Sequence, residues 1–348
     1  METRLRTAPE PLAEQEVCSW MKDALIATVP AFLWASYLFG LRVLVLLAVS
    51  VFSALFLDAL MGRLLRRQTA ASLSAAAVTG AIFTLLLPVT FPLYLVPLGI
   101  FVAIVPIKHL FGGLGRNILN PALSAWAVLY VLYPEHLNAF TRPHYNPGVF
   151  RIWFSSEELE GYRELSPLEA LESGGEPLGL VALLKGDFAG AVGECAGLLL
   201  LVGGLYLLVK SVISCHVPFW YLMTTGLGLY LFCPDPEAGR FLFMLNGMLT
   251  GNLILGAFFM ATDCVTSPLT VRGRAFFGIL LGVLTVALRL RGASHAAVPL
   301  AILFGNLTVR LIDRILTPTP FGRKKISLLW IALQKRIGEW RVTRKKQP

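Results

Sequence analysis

The chain has 348 residues, 56% of them hydrophobic and only 15% charged, with a mean hydropathy of +0.69. A soluble domain carries about 25% charged residues, so composition excludes an ordinary soluble enzyme and points to a polytopic membrane protein. The net charge of +9 does not mark a nucleic-acid binder, because a run of cations from Arg323 to Lys346 sits in one C-terminal tail against a single acid, Glu339.

Residues 1–23 are polar and mixed in charge, and read as a cytoplasmic N-terminal segment without a cleavable signal peptide. Ala24 to Leu57 is apolar except for Arg42 and too long for one span of about 20 residues, so it divides at Gly40. Arg63, Arg66 and Arg67 follow. Ala70 to Ile107 carries no charge but holds Pro88, Pro92, Pro97 and Pro106, which predicts two spans joined by a tight turn around Pro88–Pro92. Next comes FGGLGRNILNPALS, Phe111 to Ser124, a glycine-rich and polar break. Such backbone survives at membrane depth only if it is buried in protein or lines a cavity. A fifth span from Ile118 to Tyr133 closes a first unit, 24–133.

Residues 134–187 differ in kind, with several prolines, many acids and many aromatics, and read as one long outward-facing loop. A second unit, 188–316, holds Phe188–Val209 (interrupted by Glu194), Val212–Phe232, Phe241–Thr262, Ala275–Leu290 and Ala296–Val309. The tail, 317–348, is basic, and its Ile326–Trp340 stretch suits a helix lying on anionic lipid.

The pattern predicts an all-α polytopic membrane protein with about ten transmembrane helices and several broken ones. Basic groups cluster at Arg63–Arg67, at Lys108 and Arg116, at Lys210, at Arg272 and Arg274, and in the tail. That places both termini in the cytoplasm and loop 134–187 outside, with Arg289 and Arg291 as exceptions. Thr79-Gly80 against Thr250-Gly251, and Asn117–Asn120 against Gly305–Leu307, suggest two five-helix inverted repeats with a site at their interface. Asn117, Asn120 and Asp263 are the candidates for lining an ion path. Asp263 follows a charge-free span and is surrounded by Thr262, Thr266, Ser267 and Thr270. An intramembrane carboxylate is costly unless it is used, although Asp263 could instead pair with Arg272 or Arg274 at the water boundary. The five cysteines form no CxxC pair, and no metal-ligand set is read. No Rossmann glycine fingerprint, haem-attachment motif or P-loop occurs.

FGGLGRNILNPAL, AFFMATDCVTSPLTVRGRAFFG, GDFAGAVGECAGLLLLVGGLYLL and AILFGNLTVRLIDRI together resemble the NqrB/RnfD family, which holds the D subunit of Rnf electron-transport complexes and the B subunit of the sodium-pumping NADH:quinone reductase. The resemblance runs from about Leu25 to Ile315. It implies a bacterial inner-membrane component of a translocase, not catalytic alone, with other Rnf- or Nqr-type subunits as partners and either Na+ or H+ as the moved ion. It also implies an FMN joined through its phosphate to a threonine in the outward loop. Here the matching segment is Glu160 to Leu168, with Ser166 at the threonine position and Arg163-Glu164-Leu165 where the family has Ser-Gly-Ala. A flavin ester at Ser166, or a noncovalent flavin, is the cofactor expectation. The alternatives are a small-solute channel or a scaffold subunit without a redox role.

Overall fold

A computed structural model describes residues 14–66, 69–144, 148–234 and 239–316; the basic tail and its expected lipid contact lie outside the described residues. All regular structure among the described residues is helical. Helix α1 is Glu14–Phe39, α2 Arg42–Leu64 and α3 Ala70–Leu86. Helix α4, Leu95–Val102, continues as a π-helix, Ala103–Leu110, and α5 is Pro121–Leu132. Loop 134–187 carries α6 (Pro134–Leu137), α7 (Ser156–Tyr162), α8 (Pro167–Glu172) and α9 (Leu180–Lys185). Then come α10 (Val192–Cys195), α11 (Gly197–Val209), α12 (His216–Leu231) and α13 (Arg240–Leu249). Helix α14, Leu253–Leu255, runs into a second π-helix, Gly256–Met260, and α15 (Val271–Arg289) and α16 (Ala297–Leu316) follow.

The breaks have local causes. Gly40, at φ +78, separates α1 from α2, as its freedom for positive φ predicts. The first helix begins at or before Glu14, so it takes in residues up to Asp23 that composition alone groups with the N-terminal segment. The expected eighth span is not one helix: α13 and the α14 segment meet at 59°, across Thr250, Gly251 at φ +65 and Asn252 at φ +57. By length and composition α2 and α15 are each able to cross a membrane, and the bent α13–α14 pair adds a third candidate. Helices α3, α4, α5 and α11 are apolar but shorter.

Apolar side chains face outward as well as inward. Helix α12 exposes Phe219, Met223, Leu227 and Leu231, and α16 exposes Phe304, Leu307, Leu311 and Ile315. These sit three or four residues apart and make one apolar stripe per helix. The interior meanwhile buries Arg42, Asp58, Lys108, Glu194 and Arg289. An apolar exterior, with the few buried charges kept inside the packed bundle, suits lipid.

Candidate functional site

Each π-helix feeds a loop that ends at a capped helix. After Leu110 the chain turns through Gly112, Gly113 and Gly115, all at positive φ, to Asn120. Asn120 is extended (φ −64, ψ 124), so α5 begins at Pro121 rather than at Ile118. Its Oδ1 accepts the N–H groups of Ala122 (3.1 Å) and Leu123 (3.3 Å). The second π-helix leads through residues 261–270 to Thr270, whose hydroxyl accepts the Gly273 N–H at 3.0 Å. π-Helical turns interrupt regular bonding and occur often at functional sites.

These two loops, far apart in sequence, meet. Asn117, Asn120, Thr262 and Asp263 line one cavity of about 120 Å³, with Lys108 in its wall. Asn306 of α16 fastens the seam. With its amide oriented to satisfy its neighbours, it donates to the Thr266 and Ile302 carbonyls (both 3.2 Å) and accepts the Asn120 N–H at 3.1 Å. Asp263 is half-buried and accepts the Val265 N–H (3.2 Å) and the Thr266 hydroxyl (3.3 Å). The Arg274 guanidinium goes instead to the Pro268 carbonyl, and among the described residues Asp263 makes no ion pair. The Asn117 Oδ1 is buried without a partner, the kind of group that a water or an ion completes.

A second cluster adjoins this cavity. Asp58 of α2 is fully buried, with Lys108 Nζ and His109 Nε2 each 2.8 Å from its Oδ1 and the Ser72 hydroxyl 2.8 Å from its Oδ2. Lys108 also donates to the Ser72 carbonyl at 2.7 Å. By charge pattern Lys108 is a loop cation; in the structure it is a buried group of the π-helix, 2% exposed. Sequence reasoning misses Asp58 and His109. The available signal is a lone carboxylate between the apolar stretch after Arg42 and Arg63, and a Lys-His pair closing a long uncharged run.

Ser166 lies apart from this cavity, at the start of α8, and is fully buried. Its hydroxyl accepts the Glu169 N–H at 3.2 Å, and Glu169 Oε2 accepts the Ser166 N–H at 3.1 Å, a reciprocal cap. His295 Nε2 bonds the same hydroxyl from the other side, and His295 Nδ1 is 3.6 Å from Glu194. Glu194 Oε1 accepts the Gly251 N–H at 2.7 Å, so this chain of contacts ties loop 134–187 to the break between α13 and α14. Arg289, one of the two exceptions to the charge pattern, is buried there and donates to the Gly247 and Thr250 carbonyls. A phosphoester on Ser166 would take away the hydroxyl proton that His295 Nε2 can accept and set an anion beside Glu169 at a fully buried position. The residues around 166 do not fit a covalent flavin. Glu158, half-buried in the same loop, is held below the usual carboxylate range by the Ser155 N–H and by Arg151.

The family model for NQR2, RnfD and RnfE matches residues 5–322. The chain belongs to this family. Its relatives include the D subunit of the Na+-translocating ferredoxin:NAD+ oxidoreductase complex of Acetobacterium woodii, 34% identical over 92% of this chain and 95% of that one. The D subunit of the proton-translocating ferredoxin:NAD+ oxidoreductase complex of Clostridium ljungdahlii is 30% identical over 92% and 96%. The D subunit of the ion-translocating oxidoreductase complex of Escherichia coli is 31% identical over 92% and 99%. Two NQR2, RnfD and RnfE relatives of similar identity are thus named for different ions, so membership alone does not choose between sodium and proton.

Proposed function

We propose that this chain is the D subunit of an Rnf-type ion-translocating oxidoreductase complex in the bacterial inner membrane, and that the cavity between the 111–120 and 261–270 loops is part of its ion route. The observation that carries this reading is the meeting of those loops: broken backbone, Asn117 with its unpartnered Oδ1, and Asp263 line one cavity inside an apolar-surfaced bundle. Irregular backbone lining such a space is how membrane transporters hold ions. Two five-helix inverted repeats fit the packing, since α2 lies on α3 and α4 while α12 lies on α13 and α15. In this reading about ten spans cross the bilayer, counting the bent and interrupted ones, and both termini are cytoplasmic. Electrons come from partner subunits. Any flavin carried here is held without an ester to Ser166.

The test uses inverted membrane vesicles containing the assembled complex, driven by its electron donor. Ion uptake should follow electron transfer, and Asp263→Asn should lower the ions moved per electron while electron transfer persists in the presence of an uncoupler. Uptake unchanged by Asp263→Asn would remove this cavity from the route. Solute flux indifferent to electron supply would favour a channel.

A further inference from the structure

We propose that Lys108, Asp58 and His109 form a proton-transfer relay joining the interior cavity to a second cavity at the end of the bundle where α1 begins. The inference rests on the ion-translocation reading and specifies a step within it. Lys108 lines the interior cavity. His109 lines the second, of about 490 Å³, whose wall also carries Glu14 and Arg116. Leu114 lines both cavities and stands on the direct way between them. The polar way runs around it through the cluster.

The geometry is that of a wire. One oxygen of Asp58 touches both Lys108 Nζ and His109 Nε2 at 2.8 Å, and Ser72 fixes the other oxygen. The ammonium has three donors, and Asp58 and Ser72 hold two, leaving one for the cavity. His109 Nδ1 is buried without a partner, which is a cost that a purely structural anchor has no reason to bear. The charged groups facing the relay are Asp58 on α2, Asp263 across the interior cavity, and Glu14 and Arg116 at the second cavity; α3 offers only Ser72.

Each transfer balances. Lys108 gives an ammonium proton to water or to Asp263 in the interior cavity, so one N–H bond breaks and one O–H bond forms. Once a side-chain movement brings the buried Nδ1 to water of the second cavity, His109 takes a proton there and passes its Nε2 proton to Asp58, which returns it to the Lys108 amine. One proton has moved and every charge is restored; the imidazole now carries its proton on Nδ1, and a side-chain rotation that turns Nδ1–H toward Asp58 readies the next transfer, in which Nε2 takes the proton and the first tautomer is regained. The sequence runs equally well in reverse.

The experiment compares proton and sodium movement in vesicles bearing the assembled complex, at fixed electron supply. His109→Gln keeps a donor for Asp58 but cannot shuttle. Lys108→Arg keeps the charge but does not deprotonate. Both should retain electron transfer with an uncoupler and lose proton movement by about 100-fold, the usual contribution of a positioned proton-transfer group. His109→Ala should regain proton movement with added imidazoles, at rates that track their pKa values, which a space-filling effect would not do. Normal proton movement in both His109→Gln and Lys108→Arg overturns the relay alone, as does a wild type that moves sodium only. Proton movement in His109→Gln that reappears on adding Leu114→Ala is the result expected if that side chain closes the direct way and the relay carries the proton around it. A wild type that moves no ion under electron supply overturns the functional reading beneath it.

Discussion

Arg42 is buried completely and spends its guanidinium on backbone. It donates to the carbonyls of Val89 (2.7 Å), Phe91 (3.0 Å), Gly148 (3.1 Å) and Arg151 (2.6 Å), and Phe154 lies 4.9 Å from its Cζ. One planar fork therefore pins the turn after α3 to loop 134–187, which a point charge on a flexible stem cannot do. Arg42→Met would strand those carbonyls at roughly 1–3 kcal/mol each, so it should abolish the monodisperse peak in detergent size-exclusion chromatography, and Arg42→Lys should recover it only in part. Ser166 is spent in the same way, on a cap and on His295. Mass spectrometry of the 151–185 peptide should find it unmodified, and Ser166→Ala should leave bound flavin unchanged while costing about 1 kcal/mol of stability. An FMN adduct on that peptide would defeat this assignment. Sequence could point to residue 166, because Pro167 and Leu168 mark the position, but not to its burial, which depends on His295 arriving from a distant part of the chain.

Helices α12 and α15 meet at small residues. A Cβ on Gly278 would lie 2.9 Å from the Val217 carbonyl and 3.1 Å from the Tyr221 nitrogen, and one on Gly282 would lie 2.6 Å from Thr224 Cβ. The two glycines are one turn apart and let the backbones touch, as small residues do where helices associate in lipid. Tyr221 and Thr285 then bond across the contact at 2.7 Å. Gly278→Leu should overpack this contact by about 1–3 kcal/mol and lower the thermal midpoint in detergent. A midpoint equal to wild type would mean that the helices are held elsewhere. The Gly-x-x-x-Gly spacing is legible in the sequence, as are the breaks at Gly40 and at Asn120-Pro121. The kink at residues 250–252 is not, because an uncharged apolar run gives no sign of where its carbonyls turn to Arg289. In loop 134–187, α7 depends on the reciprocal cap between Ser155 and Glu158. The lowered pKa of Glu158 means that its contribution is complete above the ordinary carboxylate range and is lost as pH falls through its lower folded value. Hydrogen exchange at 155–162 should therefore rise at a pH below the ordinary carboxylate range. A rise already complete near the ordinary carboxylate pKa would contradict the pairing.

Taken whole, the molecule turns apolar stripes outward around a largely apolar interior that also encloses a few partnered charges. The meeting of the 111–120 and 261–270 loops is foreseeable in kind, since glycines, Asn120-Pro121 and Pro268 each forbid continuous helix beside apolar runs. Its fastening is not, because nothing in the periodicity of α16 distinguishes Asn306 from any other polar residue on a buried face. That side chain bridges the backbone of Asn120 to that of Thr266. Asn306→Val keeps the volume near constant but leaves a buried N–H and a buried carbonyl unpaired, at about 1–3 kcal/mol each. If the halves are sealed at this seam, the variant should unfold at a lower temperature and its vesicles should leak cations without electron supply, because water can then satisfy the stranded groups. Were Asn306→Val vesicles as tight as wild type and as heat-stable, the seam would have to be closed by the apolar packing of α5 against α16 instead, and the polar contact would be incidental.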